Sequence, residues 1–200
     1  MEIKATLVKE LRDKTGAGMM DCKRALQESA GDMEKAIDYL KTKGLAKAEK
    51  RIGRTASEGR IASYIHRPGE KIGVLVEVNC ETDFVARTEE FAAFVRDIAM
   101  HVAAANPQWV SRNDMPEAAR LREEKIYQDQ AKESGKPEKV WSKMIEGKME
   151  KYYGEVCLLE QRFIKNPDQT IEQLTKELIA KIGENIVIRR FARFQVGEQI

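Results

Sequence analysis

The chain has 200 residues, 42% of them hydrophobic and 34% charged, with a formal net charge of +2. That composition excludes disorder throughout, because there is apolar material for a core, and the near-neutral balance argues against a dedicated nucleic-acid binder. Cys22, Cys80 and Cys157 are far apart and show no CxxC spacing, which excludes a disulfide framework or zinc site and points to a reducing compartment. The N-terminal residues carry no apolar signal region, and no apolar run approaches the ~20 residues needed to span a bilayer. The expectation is a cytoplasmic protein with no membrane partner.

Residues 1–44 read as three short helices. Ile3, Leu7, Val8 and Leu11 share one face of the first, which Thr15-Gly16-Ala17-Gly18 breaks. Cys22, Ala25, Leu26 and Ser29 share a face of the second, which Gly31 ends. Asp32 suits the N-cap of the third, whose stripe is Met33, Ala36, Ile37 and Leu40. Lys41 and Lys43 suit its last turn, and Gly44 suits the left-handed position just past it. Residues 45–57 form a basic linker, helical in part. From 41 to 60, seven cations stand against two carboxylates, usually the mark of a solvated segment and sometimes of one that steers an acidic partner or contacts phosphate.

A second domain, 58–200, opens with alternating residues. Ile61, Ser63 and Ile65 alternate with Ala62, Tyr64 and His66, and after Arg67-Pro68-Gly69-Glu70 the set Ile72, Val74, Val76 and Val78 alternates with Gly73, Leu75, Glu77 and Asn79. This predicts a β-hairpin. A helix over about 88–105 carries Phe91, Phe94, Val95, Ile98 and Val102, and Asn106-Pro107 stops it. Two helical patterns about Gly135-Lys136-Pro137 predict an antiparallel arm at about 116–153. The first has a thin stripe (Ala118, Leu121, Ile126, Ala131); the second is better marked (Val140, Trp141, Met144, Ile145, Met149, Tyr152). A helix over about 170–182 leads through Gly183-Glu184-Asn185 to a strand over 186–196, with Ile188, Arg190, Ala192 and Phe194 on one face. The fold class is therefore α+β: a three-helix bundle and a core of a small antiparallel sheet packed with helices and a helical arm.

No P-loop, GxGxxG, GxSxG or HExxH motif is present, and His66 and His101 have no ligand-spaced partners. The reading is not an enzyme, with no cofactor, no metal and no catalytic residues. Two loops stand out instead. In Thr15–Lys23, the methionines Met19 and Met20 either tuck under a helix–helix turn or offer a soft apolar patch to a partner. In Asn79–Arg87, Phe84 either staples the start of the following helix, with Thr82 or Asp83 as cap, or protrudes as an anchor. Composition and spacing alone lean towards the packing reading in both.

Four stretches resemble the bacterial translation elongation factor Ts family: Lys14–Leu26 (KTGAGMMDCKRAL), Val76–Arg87 (VEVNCETDFVAR), Glu155–Gln161 (EVCLLEQ) and Ile182–Phe194 (IGENIVIRRFARF). The likeness runs from Leu7 to Gly197, and the length resembles the short form of the family. Arg162 departs from a usual proline after LLEQ, and Asn166 stands near a usual aspartate. The resemblance implies a guanine-nucleotide exchange factor for elongation factor Tu, the GTPase that delivers aminoacyl-tRNA. It implies an N-terminal bundle like a ubiquitin-associated domain, with Met19, Met20 and Lys23 touching the partner. It also implies that Thr82, Asp83, Phe84 and Val85 form a wedge that dislodges the partner's Mg²⁺. Homodimers occur in the family, and the last strand offers an edge to a second copy. Two other readings compete. A nucleic-acid binder with a basic tail is opposed by the net charge, and an adaptor for ubiquitin-like partners leaves the second domain unused.

Overall fold

The computed structural model describes residues 3–198. In chain order the elements are α1 (Ala5–Thr15), α2 (Met19–Glu28), α3 (Met33–Glu49), β1 (Glu58–Ile65), β2 (Ile72–Cys80), α4 (Asp83–Ala86), α5 (Glu89–Ala105), α6 (Glu117–Glu133), α7 (Trp141–Val156), β3 (Arg162–Phe163), β4 (Asn166–Thr170), α8 (Ile171–Ile182) and β5 (Val187–Gln195), with short 3₁₀ turns before and after the arm helices. This is an α+β fold.

The three N-terminal helices bury Val8, Leu11, Cys22, Ala25, Leu26 and Ala36 in one small cluster. Asp32 caps α3 by accepting the Lys35 N–H at 3.1 Å. Helix α3 does not stop at Gly44, where the spacing predicted its end, but runs on to Glu49. Gly44 lies where α3 passes α8, and a Cβ built there would sit 3.2 Å from the Ala180 Cβ. Close approach of two helices, rather than a left-handed cap, is what this glycine serves. Beyond it, Ala48 is buried with the core of the second domain. Arg51 then donates to the Ile179 carbonyl at 3.3 Å, in the last turn of α8.

Strands β1, β2 and β5 form an antiparallel sheet in the order β1-β2-β5. Val74, Val76, Val78 and Cys80 turn to one side and pack with Phe91, Phe94, Val95, Ile98 and Val102 of α5, the stripe expected from its spacing. The face expected for β5 needs correction. A bulge between Glu77 and Val78 shifts the register, so Val78 opposes Ile188 but Glu77 opposes Arg190. One extra residue moves everything after it to the opposite side. Phe191, opposite Val76, packs on the core, while Ala192 and Phe194 lie on the open side with Leu75.

Helices α6 and α7 pack as the antiparallel arm. Leu121 and Ile126 face solvent rather than α7. The less exposed side of α6 carries Arg120, Glu123, Glu124 and Tyr127 with buried Ala131, so long polar side chains cover the seam with their stems. At the root of the arm, Arg112 binds Glu150 with contacts of 2.6 and 2.7 Å, also binds Glu160, and lies 4.2 Å over the Tyr153 ring.

His101 on α5 is fully buried. Its Nδ1 accepts from the Ile164 N–H at 3.3 Å, so Nε2 carries the proton toward Gln161 Oε1 at 3.0 Å. Gln161 in turn donates to the Glu155 carbonyl at 2.6 Å. This chain of bonds ties α5 to the end of the arm. Burial lowers the His101 pKa below its ordinary 6.5, because charging would cost solvation. The unfolded chain then binds the proton more readily than the folded one. This contribution is complete above pH 6.5 and is lost as pH falls toward the folded-state value. Urea denaturation from pH 8 to pH 5 is expected to show stability declining below about 6.5. A His101→Gln variant is expected to be weaker at pH 8 but flatter across that range.

Candidate partner-binding surface

Two exposed apolar features stand on rigid supports. The first follows β2, whose last residue, Cys80, is buried. Its thiol donates to the Thr82 carbonyl at 3.2 Å. Burial, and then the nearby Glu184 carboxylate, pushes that thiol up to about 11, so it stays neutral. Thr82 has extended backbone and caps α4, its hydroxyl accepting the Val85 N–H at 3.4 Å. Helix α4 is only four residues long, and it divides its side chains sharply. Val85 is 6% exposed and Ala86 is buried, whereas Phe84 is 78% exposed. Asp83 pairs with Arg87 at 2.8 Å along the outer side. Thr88 then caps α5 through the Phe91 N–H at 3.3 Å and donates back to the Val85 carbonyl at 2.8 Å. Phe84 is therefore not a staple for the helix that follows. It is a bare ring on a short helix capped at both ends.

The carboxylate of Glu184 completes this support. One oxygen accepts the N–H groups of Glu81 and Thr82 at 3.1 and 3.0 Å, and the other accepts the Thr82 hydroxyl at 2.7 Å. In the opposite direction, Glu81 accepts the Asn185 N–H at 2.6 Å. Asn185 is 2% exposed, and its side chain donates to the Arg54 carbonyl at 2.7 Å. Sequence reasoning passed over both residues, reading Gly183-Glu184-Asn185 only as a lead into the last strand. The available signal was a carboxylate and an amide next to a helix-ending glycine, residues whose side chains bond stray backbone groups.

The second feature is the turn between α1 and α2. Gly16 takes the left-handed conformation (φ 68°) and ends α1. Helix α2 starts at Met19 without a side-chain cap. Met19 and Met20 are 45% and 70% exposed, and Lys23, one turn on, is exposed as well. Neither methionine is tucked under the turn. Cys22, Ala25 and Leu26 take the inward side instead. Asp21 between them is held by Lys47 at 2.9 Å, an ion pair that braces α2 on α3.

Among the described residues, no group of three or more His, Cys, Asp or Glu is placed to hold a metal ion. The surface offers apolar side chains and charges, which suit contact with another macromolecule.

The family model "Elongation factor TS" matches residues 48–198. Over 200 residues the chain is 62% identical to the elongation factor Ts of Syntrophus aciditrophicus, covering all of this chain and 99% of that protein. The chain belongs to the elongation factor Ts family. It is also 61% identical to the elongation factor Ts of Desulfotalea psychrophila, over 98% of this chain and the whole of that protein. It is 59% identical to that of Geobacter sulfurreducens, over 99% of this chain and 91% of that protein. Both exposed features thus lie in a chain that matches elongation factor Ts proteins from end to end, and the α4 tip lies within the span of the family model.

Exposure separates the adjacent residues Phe84 and Val85 energetically. Phe84→Ala removes little buried area and is expected to unfold within about 0.5 kcal/mol of the wild type in urea. Val85→Ala opens a cavity under α4 and is expected to cost about 1–3 kcal/mol in the same measurement.

Proposed function

We propose that this chain promotes GDP release from elongation factor Tu by inserting the Asp83-Phe84 tip beside the nucleotide site. The general role, guanine-nucleotide exchange on that GTPase, follows from family membership. One observation supports the finer reading above the rest. An aromatic ring is 78% exposed on a helix too short to move independently of its caps.

Mg²⁺ neutralises the β-phosphate and helps the GTPase hold its nucleotide. A wedge that displaces the ligands of that ion weakens the grip. By linkage, exchange factor and GDP must weaken each other's binding by the same factor. A thousandfold effect corresponds to about 4 kcal/mol. Complete burial of the Phe84 ring contributes only ~1.5–3 kcal/mol. The ring therefore needs a second contact, which Met19, Met20 and Lys23 provide: adaptable thioethers beside a cation, suited to an irregular surface with a carboxylate nearby. No covalent bond changes in this chain, so it needs neither catalytic residue nor cofactor of its own. The exchange takes place in the cytoplasm, against a protein rather than a nucleic acid or a membrane.

The test follows release of mant-GDP from elongation factor Tu. Phe84→Ala is expected to slow release at saturating factor by about ten- to a hundredfold, the equivalent of losing the ring's burial. Release at the wild-type rate by a folded variant would sink the wedge.

A second partner is another copy of the chain. Ile61, Ile65, Leu75 and Phe194 are exposed on the open side of the sheet. Ile65 opposes Gly73, which opposes Phe194, so two of them lie in one cross-strand row. A contiguous apolar row of this kind suits an isologous contact, with the same face presented by both copies. Phe194→Glu is expected to shift the sedimentation coefficient from dimer to monomer. A wild-type chain that sediments as a monomer at high concentration would refute this pairing.

A further inference from the structure

We infer that Glu184 is a positioning residue for the Asp83-Phe84 tip, an inference that rests on the wedge reading above. A four-residue helix has no stability of its own, since helix nucleation is unfavourable and short helices depend on outside contacts. Its own cap, the Thr82 hydroxyl on the Val85 N–H, is a long bond at 3.4 Å. The stronger constraint comes from Glu184. All three donors that it accepts belong to Glu81 and Thr82, the two residues immediately before the tip. With both N–H groups and the hydroxyl held by one carboxylate, the backbone there is fixed before a partner arrives. A flexible tip would instead lose that freedom on binding, at the expense of affinity.

Glu184 is well placed for this. It follows Gly183, which ends α8 in the left-handed conformation (φ 92°) with its N–H on the Ile179 carbonyl at 2.9 Å. It precedes Asn185 and Ile186, both buried. The return bond from the Asn185 N–H to Glu81 closes a ring between the two segments. Among the described residues no cation lies within ion-pair distance of Glu184, so its oxygens serve the tip rather than a salt bridge. Arg54, bonded through its carbonyl to Asn185 and lying 3.8 Å from Glu81, links the end of the basic segment to the same ring.

A residue that only supports the fold would reduce exchange regardless of what occupies position 84. A positioning residue acts through Phe84, so its loss is silent once the ring is gone. The experiment is a double-mutant cycle on mant-GDP release from elongation factor Tu at saturating factor, with Glu184→Ala, Phe84→Ala and the pair, and melting curves for each. Glu184→Ala is expected to slow release by about tenfold, within the range of coupling between residues of one network. Glu184→Gln keeps an oxygen for the two N–H groups and is expected to stay within about twofold of the wild type. The double variant is expected to be no slower than Phe84→Ala. Multiplicative losses, or wild-type release by Glu184→Ala, would overturn the inference while leaving the wedge standing. Wild-type release by Phe84→Ala would overturn both. If Glu184→Ala melts below the assay temperature, Glu184→Asp takes its place. It keeps the charge but withdraws the oxygens by one methylene, and its two outcomes carry the same meanings.

Discussion

The junction between sheet and helix is closed by one carboxylate accepting three hydrogen bonds from residues 102 and 103 positions away in sequence. Charged acceptors form stronger bonds to backbone N–H than neutral ones do. Here the bonds sit at a place where the backbone has left β2 and not yet begun α5. They pair two backbone N–H groups beside a four-residue helix whose Val85 and Ala86 are anchored in the core. The exposed ring therefore depends on the loop after α8, and so on the packing of α8 against α3 and the core.

That dependence explains the arrangement of the rest. Gly44 lets α3 and α8 approach closely, Arg51 binds the last turn of α8, and Asn185 takes the Arg54 carbonyl. The basic segment is laid along the structure that holds the tip. At the other end of the core, His101 and Gln161 perform a similar service for the arm, joining α5 to the residues after α7 through buried bonds whose partners are all satisfied.

Periodicity revealed the larger elements. The valines of β2 and the phenylalanines of α5 show their spacing openly because each element buries one side against the core. Thr88 and Thr170, where the two helical patterns were expected to begin, are the residues that cap those helices. The misses have particular causes. Gly44 looked like a terminator because glycine serves both caps and close contacts, and only the Ala180 neighbour separates the two. The face of β5 was misread because a bulge adds a residue without any mark in composition. The outward turn of Phe84 was invisible because four residues make too short a helix to show a period. Glu184 escaped because hydrogen bonds across 102 residues leave no local pattern.

The unbroken course of α3 has a consequence for how a partner is met. A flexible tether between bundle and core would leave the methionine turn and the α4 tip to find their targets separately. Here α3 runs on to Glu49, with Ala48 buried in the core of the second domain, so the bundle joins the core through packed helix. Once one contact forms, the other is held at high effective concentration only where the partner's two surfaces match that geometry. On the proposed reading, in which both features meet the GTPase, such a spacing would favour the one shape of the partner that accommodates both contacts at once.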